Sequence, residues 1–222
     1  MSEPVSRSPI APAPPVRVEA GWEVSGGRSE AALTITDCTP LAKVQLRAPW
    51  NGAMAKALGV PFGRADREGG GAYSASQDGP EGVWLVVGSG PGEWLVLAPP
   101  GAAAAVADWL ATVAADAAGD EFVSMTDLTH GRALVRITGP DAAGLLARLC
   151  GTDLEDDMAP DGAALRSAVA GVATDIIRDD RAAVPSYLLH CERSSGQYLF
   201  GALVSAGESL GIGVDGFRLP GI

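Results

Sequence analysis

Two histidines and three cysteines are all the imidazole and thiol that these 222 residues carry. Cys38, Cys150 and Cys191 are too few and too irregularly spaced to make a disulfide framework. The thiols are therefore expected to stay free in a reducing compartment, which makes this a cytoplasmic chain on the present reading. Basic charge is also short: 16 Lys and Arg stand against 27 Asp and Glu, giving a formal net charge of -11 and a pI near 4.5. That field repels phosphate backbones and anionic headgroups, and no Lys/Arg cluster opposes it locally, so neither nucleic acid nor a membrane surface is an expected partner. The N-terminus holds Pro4, Pro9, Pro12, Pro14 and Pro15 and no long apolar run, so neither a signal peptide nor a spanning helix is expected. A Gly-x-Ser-x-Gly elbow is missing too, which leaves hydrolase chemistry without support.

What is present describes a globular chain. Hydrophobic residues make up 47% and charged residues 19%, and a chain of this length buries roughly 70% of its unfolded surface. Length leaves one large or two small domains open. Residues 1–28 are too rich in Pro, Gly and Ser to pack alone, so this flexible arm is either disordered or laid on a partner.

Ordered chain is expected from Leu33-Thr-Ile-Thr36 through Ala42-Lys-Val-Gln-Leu-Arg47, where Val44 and Leu46 alternate with polar neighbours as in a half-buried strand. A short helix follows, with Asn51 as its cap, Met54 and Leu58 on one face and Gly59 with Pro61 as its stop. After a polar loop over 63–81, Val83–Val87 and Glu93–Leu97 read as a hairpin joined through Gly88-Ser-Gly-Pro-Gly92. Over 101–119, Val106, Trp109, Leu110 and Val113 make the stripe of an amphipathic helix, and Phe122–Met125 reads as a strand. That order of strand, helix, strand, strand, helix, strand is the ferredoxin-like βαββαβ arrangement and assigns residues 29–127 to a first lobe.

Residues 128–222 are read as a second lobe of the same plan. Leu134–Ile137 is a strand, Pro140 opens a helix with Ala142, Leu145, Leu146 and Leu149 as its stripe, and Tyr187–Cys191 is a strand before a helix from Ser195 to about Leu210. Leu165–Val172 and Ala173–Arg178 are one bent strand or two. The fold class is therefore α+β, two tandem ferredoxin-like lobes packed together, with a cleft between them as the natural place for a ligand.

Candidate chemistry is sparse. Gly88–Gly92 has the glycines of a phosphate loop, but a strand follows it where such loops need a helix N-terminus, so it reads as a turn. His190 and Cys191 are adjacent on a strand and point to opposite faces, which separates them as ligands; they read as a surface polar residue and a small core residue. Asp127 and His130 share a polar break, where the aspartate is expected to bond nearby backbone donors. Asp153, Glu155, Asp156, Asp157 and Asp161 make an acidic loop, but Met158 stands where a calcium loop requires glycine. Trp84, Trp94 and Trp109 are expected in the first lobe's core.

Several short motifs occur in a fixed order: Arg7-Ser-Pro-Ile10, Leu46-Arg47, Gly90-Pro-Gly-Glu-Trp-Leu95, Asp127-Leu-Thr-His130, Thr138-Gly-Pro-Asp-Ala142, Asp153-Leu154 and Glu192-Arg-Ser-Ser195. Together they resemble the gamma subunit of heterotetrameric sarcosine oxidase, a relative of the folate-binding aminomethyltransferases, over most of the chain. The resemblance implies an aminomethyltransferase-like fold and a chiefly structural, non-catalytic role beside alpha, beta and delta subunits. It implies that those subunits hold FAD, FMN, NAD, tetrahydrofolate and zinc, and that the complex oxidatively demethylates sarcosine to glycine. Active aminomethyltransferases place a catalytic aspartate beside folate; aligned by eye, Tyr198 stands in its place here. No catalytic, cofactor-binding or metal-ligating residue is therefore assigned to this chain. The alternative is a folate-binding one-carbon transfer protein acting outside such a complex.

Overall fold

The computed structural model describes residues 4–67 and 84–222. Residues 68–81 of the expected polar loop, and Val83 of the expected hairpin, lie outside them. In chain order the first elements are β1 (Ser6–Arg7), β2 (Val16–Glu19), β3 (Trp22–Ser25), β4 (Thr34–Asp37), β5 (Ala42–Arg47) and α1 (Ala53–Leu58). Next come β6 (Ala65–Asp66), β7 (Leu85–Gly90), β8 (Glu93–Ala98), α2 (Ala103–Ala117), β9 (Ser124–Asp127) and β10 (Arg132–Thr138). The last are α3 (Ala142–Ala147), β11 (Ala164–Val169), β12 (Val172–Arg178), β13 (Ser186–Glu192), α4 (Gly196–Gly207) and β14 (Gly213–Asp215). No helix among the described residues is long and apolar enough to cross a membrane.

The chain divides into two compact units, and one of them is discontinuous: residues 1–40 and 131–221 form the first, residues 41–130 the second. This differs from the lobes expected at 29–127 and 128–222. Residues 29–40 had been placed at the head of the first lobe, but β4 pairs antiparallel with β10, Ile35 against Ile137, and parallel with β14. Its alternation of Thr and Ile marks a strand without saying which sheet it joins. Of the arm expected over 1–28, the described residues 4–28 are structured, since β1, β3 and β2 form a three-stranded sheet in that order.

In the discontinuous unit a six-stranded sheet runs β11-β12-β13-β10-β4-β14. Ala133, Val135 and Ile137 of β10 lie on the same side as Tyr187, Leu189 and Cys191 of β13 and pack with Leu145 and Leu146 of α3 and Leu199 and Leu203 of α4. These helices form because their apolar residues recur three or four positions apart, and packing that stripe on the sheet supplies most of their stability. Ile10 of the arm is part of the same core, 1% exposed. The arm follows the start of α4: Arg193 donates to the Arg7 carbonyl, Ala11 N–H donates to Gln197 Oε1 at 2.7 Å, and a Cβ at Gly196 would lie 2.9 Å from the Pro9 ring. The stretch expected over Leu165–Arg178 as one bent strand or two is two, β11 and β12, turned at Ala170 and Gly171 with φ of 49° and 80°, so that Val172 opens the second.

The contiguous unit has a five-stranded sheet, β6-β7-β8-β5-β9, with α1 and α2 on the face made by Val44, Leu46, Val86, Trp94 and Val96. The hairpin of β7 and β8 needs glycine at Gly88, where a Cβ would meet the Pro61 carbonyl oxygen at 2.2 Å. The strand expected over Phe122–Met125 starts two residues later, and Phe122 is exposed.

Asn51 does not cap α1. The N-cap is Gly52, and the carboxylate of Glu121 accepts the N–H groups of Met54 (3.1 Å) and Ala53 (2.5 Å) instead. Those two hydrogen bonds hold the Glu121 carboxyl below its ordinary value of 4.5. A depressed folded-state pKa means the stabilisation is complete above the unfolded value and disappears as pH falls through the folded one. Glu121→Gln is therefore expected to unfold at lower urea than the parent near neutral pH, with the gap closing as pH drops below 4.5. A gap that stays constant down to about pH 3 would remove the charge from this account.

Candidate functional site

The face of the six-stranded sheet turned away from α3 and α4 carries the polar side chains. Because strand residues alternate, Leu134 and Arg136 of β10 point opposite to Val135 and Ile137, and His190 of β13 points opposite to Cys191. Two groups of charges form there.

The first group centres on Arg136, which is 7% exposed. Its Nη2 donates to Asp179 Oδ2 at 2.7 Å, and its Nη1 donates to Ser186 Oγ at 2.9 Å and to the Asp179 carbonyl at 3.3 Å. Ser186 Oγ lies 3.1 Å from Thr138 Oγ1. The Arg136 Nε–H is buried and finds no acceptor among the described residues. Cys38 adjoins this guanidinium; burial pushes its thiol up to about 11, with Arg136 acting in the opposite sense. A buried thiol raised in this way packs as an apolar group.

The second group crosses three strands in register: Arg166 of β11 stands against Asp175 of β12, which stands against His190 of β13. Arg166 Nε donates to Asp175 Oδ1 at 2.5 Å, and His190 Nδ1 lies 2.9 Å from Asp175 Oδ2. Side-chain exposure falls along the row from 54% at Arg166 to 13% at Asp175 and 4% at His190. Burial pushes the Asp175 carboxyl up, but the hydrogen bonds from His190 and Arg166 outweigh it and hold it below the ordinary range. A carboxylate bonded to an imidazole nitrogen sets the ring's tautomer and orientation.

The residues singled out in the sequence are scattered. Gly88–Gly90 end β7, and the turn leads into β8, so no helix N-terminus faces an anion there. His190 and Cys191 do occupy opposite faces, but His190 is buried and not a surface residue as expected, because β13 is covered on both sides. Cys191 is a core residue, with burial pushing its thiol up to about 11. Asp127 Oδ1 accepts the Thr129 N–H at 2.8 Å, the expected turn bond, and His130 is exposed. In the acidic loop, Asp153 accepts the Glu155 N–H, Asp161 accepts those of Gly162 and Asp180, and Asp156 pairs with the buried Arg178. Trp94 is buried and donates to the Val60 carbonyl, while Trp84 and Trp109 are partly buried and stack edge to face at 5.0 Å. Tyr198 sits on α4, 61% exposed, with its hydroxyl donating to the Ala170 carbonyl. It takes no part in the row that ends at His190. That row was missed because its members are distant in sequence and meet only through strand register; the polar Asp175 inside Ala-Thr-Asp-Ile-Ile was its one local trace.

Residues 84–218, more than half of the chain, match the family model described as the GCVT N-terminal domain, and the chain belongs to that family. The chain is thus an aminomethyltransferase-like protein. Among solved structures it is similar to a chain of the heterotetrameric sarcosine oxidase from Corynebacterium sp. U-96, in complex with pyrrole 2-carboxylate. The identity is 23% and the TM-score 0.62, covering 82% of this chain and 86% of that one. It is also similar to the glycine cleavage system aminomethyltransferase T from Bartonella henselae at 15% identity and TM-score 0.67, covering 93% of this chain and 56% of that one. No curated protein matches it in sequence.

Proposed function

We propose that this chain is the structural gamma subunit of a heterotetrameric, flavin- and folate-dependent sarcosine oxidase, working in the cytoplasm beside alpha, beta and delta subunits. In this reading the complex oxidatively demethylates sarcosine to glycine, and FAD, FMN, NAD, tetrahydrofolate and zinc reside in the other subunits. The carrying observation is that Arg136 and Asp175 on the candidate face already hold ion-pair partners within the chain: Arg136 with Asp179, Asp175 with Arg166 and His190. In this reading a carboxylate clamped between two donors offers little to an incoming pterin or amine. The near end-to-end likeness to an oxidase chain supports the same reading, as do strand orders that we take for two ferredoxin-like lobes.

Affinity capture of the chain from its host, with an absorbance scan for flavin, tests it. The expected result is co-purification with three further subunits and bound flavin, while the isolated chain neither oxidises nor demethylates sarcosine. Turnover by the isolated chain would overturn the reading.

A second reading is favoured by the buried, unanswered Arg136 Nε–H: a folate-binding one-carbon transfer protein in which a ligand oxygen accepts that bond. Calorimetric titration with tetrahydrofolate separates the two. Saturable heat that is lost in Arg136→Lys supports this second reading, and a flat trace at high protein concentration removes it.

A further inference from the structure

Asparagine occurs once in the 222 residues, at Asn51, and glycine follows it. Local structure requires both members of the pair. Asn51 has φ of 61°, a left-handed conformation in which asparagine is among the few side chains readily tolerated. At Gly52 the place of a Cβ is already taken: it would overlap both carboxylate oxygens of Glu121, which accept the Ala53 and Met54 N–H groups. Glu121 could withdraw only by giving up those bonds, so a larger residue at 52 would uncap α1.

The same pair is an unhindered setting for a reaction of the side chain with its own backbone. Asn51 is exposed, and Gly52 has no side chain to block the approach of its nitrogen to Asn51 Cγ. That nitrogen is restrained by its hydrogen bond to the Pro49 carbonyl at 3.1 Å. The neighbouring Trp50 is 52% exposed, and α1 beyond the turn is six residues long. The turn over 49–52 can therefore open locally while the sheet stays paired.

We propose that Asn51-Gly52 is a site of spontaneous, non-enzymatic modification in the folded protein, deamidation through a cyclic imide. When the turn opens, the Gly52 nitrogen attacks Asn51 Cγ. Its proton passes by way of water to the departing amide nitrogen, which leaves as ammonia, and a five-membered succinimide closes. Water then opens the ring at either carbonyl, giving aspartate or isoaspartate at position 51. No oxidant or cofactor enters the balance. The product adds a carboxylate near Glu121 and, as isoaspartate, one extra backbone atom in the turn, so converted molecules hold the start of α1 less well. This inference stands independently of the proposed function.

The test is incubation of the full folded chain in water enriched in heavy oxygen at mildly alkaline pH, followed by tryptic peptide mapping. The peptide over 48–56 should convert to aspartate and isoaspartate forms that carry one labelled oxygen at residue 51, with one ammonia released per converted chain. Asn51→Gly, which keeps the left-handed turn and removes the amide, should release none. Gly52→Ala combined with Glu121→Ala, which makes room for the new methyl group, should slow conversion at least about tenfold. Conversion as fast in that double variant as in the parent would overturn the route through Gly52. The parent alone decides the rest: if Asn51 stays intact in the folded chain while the urea-unfolded chain is converted, the turn shields the pair and the proposal is overturned.

Discussion

Arg136→Met should cost about 3–5 kcal/mol of stability, because it removes the guanidinium that donates to the buried Asp179 carboxylate, to the Asp179 carbonyl and to Ser186. The pair is enclosed, with side-chain exposures of 8% and 2%, so water cannot take over the lost hydrogen bonds. Arg181 Nε also lies 3.5 Å from that carboxylate. Joint replacement by apolar residues, Arg136→Met with Asp179→Leu, should recover most of the loss, since the desolvation cost of both charges disappears with them. Urea unfolding of the parent, the single variant and the double variant measures all three. A single variant within about 1 kcal/mol of the parent would show that the pair is solvated.

Ile10→Ala should cost about 2–5 kcal/mol, the range for a large-to-small change in a packed core. The figure is unexpected for a residue flanked by Pro9 and Pro12 in a segment whose composition suggests disorder. Ile10 nevertheless lies with Leu33, Ile35 and Leu199 in the core beneath α4. An arm that frayed in solution would leave stability unchanged on the same substitution, so one unfolding curve decides whether residues 4–28 are part of the fold. Substitution at Pro12, whose neighbours Ala11 and Ala13 are held by Gln197 and Ser25 through their backbone N–H groups, should be much milder.

Local periodicity carried the helices and most strands. The stripes Val106/Leu110/Val113 and Leu199/Leu203 lie on buried faces because a 3.6-residue repeat encodes that geometry directly. Sheet membership was not legible, since a strand's partner is a matter of distant register: Leu33–Thr36 reads the same whether it joins β5 or β10. The arm failed for a related reason. Its prolines and glycines predict poor packing, yet β1, β3 and β2 pair with one another and Ile10 enters a core built by residues far along the chain. The charged face was the least legible of all. Asp175 and His190 are 15 residues apart, and their pairing depends on the β12–β13 register. Capping of α1 by Glu121 is equally non-local, and Asn51, the conventional cap, sits instead at φ 61°.

The discontinuous unit has a consequence for synthesis on the ribosome. Residues 41–130 are contiguous and can fold as soon as they emerge, whereas β4 must wait for β10, about 100 residues later. At bacterial-to-eukaryotic elongation rates of about 5–20 residues per second, that interval is on the order of 5–20 s. Throughout it the nascent chain displays Ile10, Leu33 and Ile35 with no core to enter. The vulnerable moment in the life of this protein is therefore the pause between its two halves, and a host that translates this stretch slowly should lose more of it to aggregation than one that translates it fast.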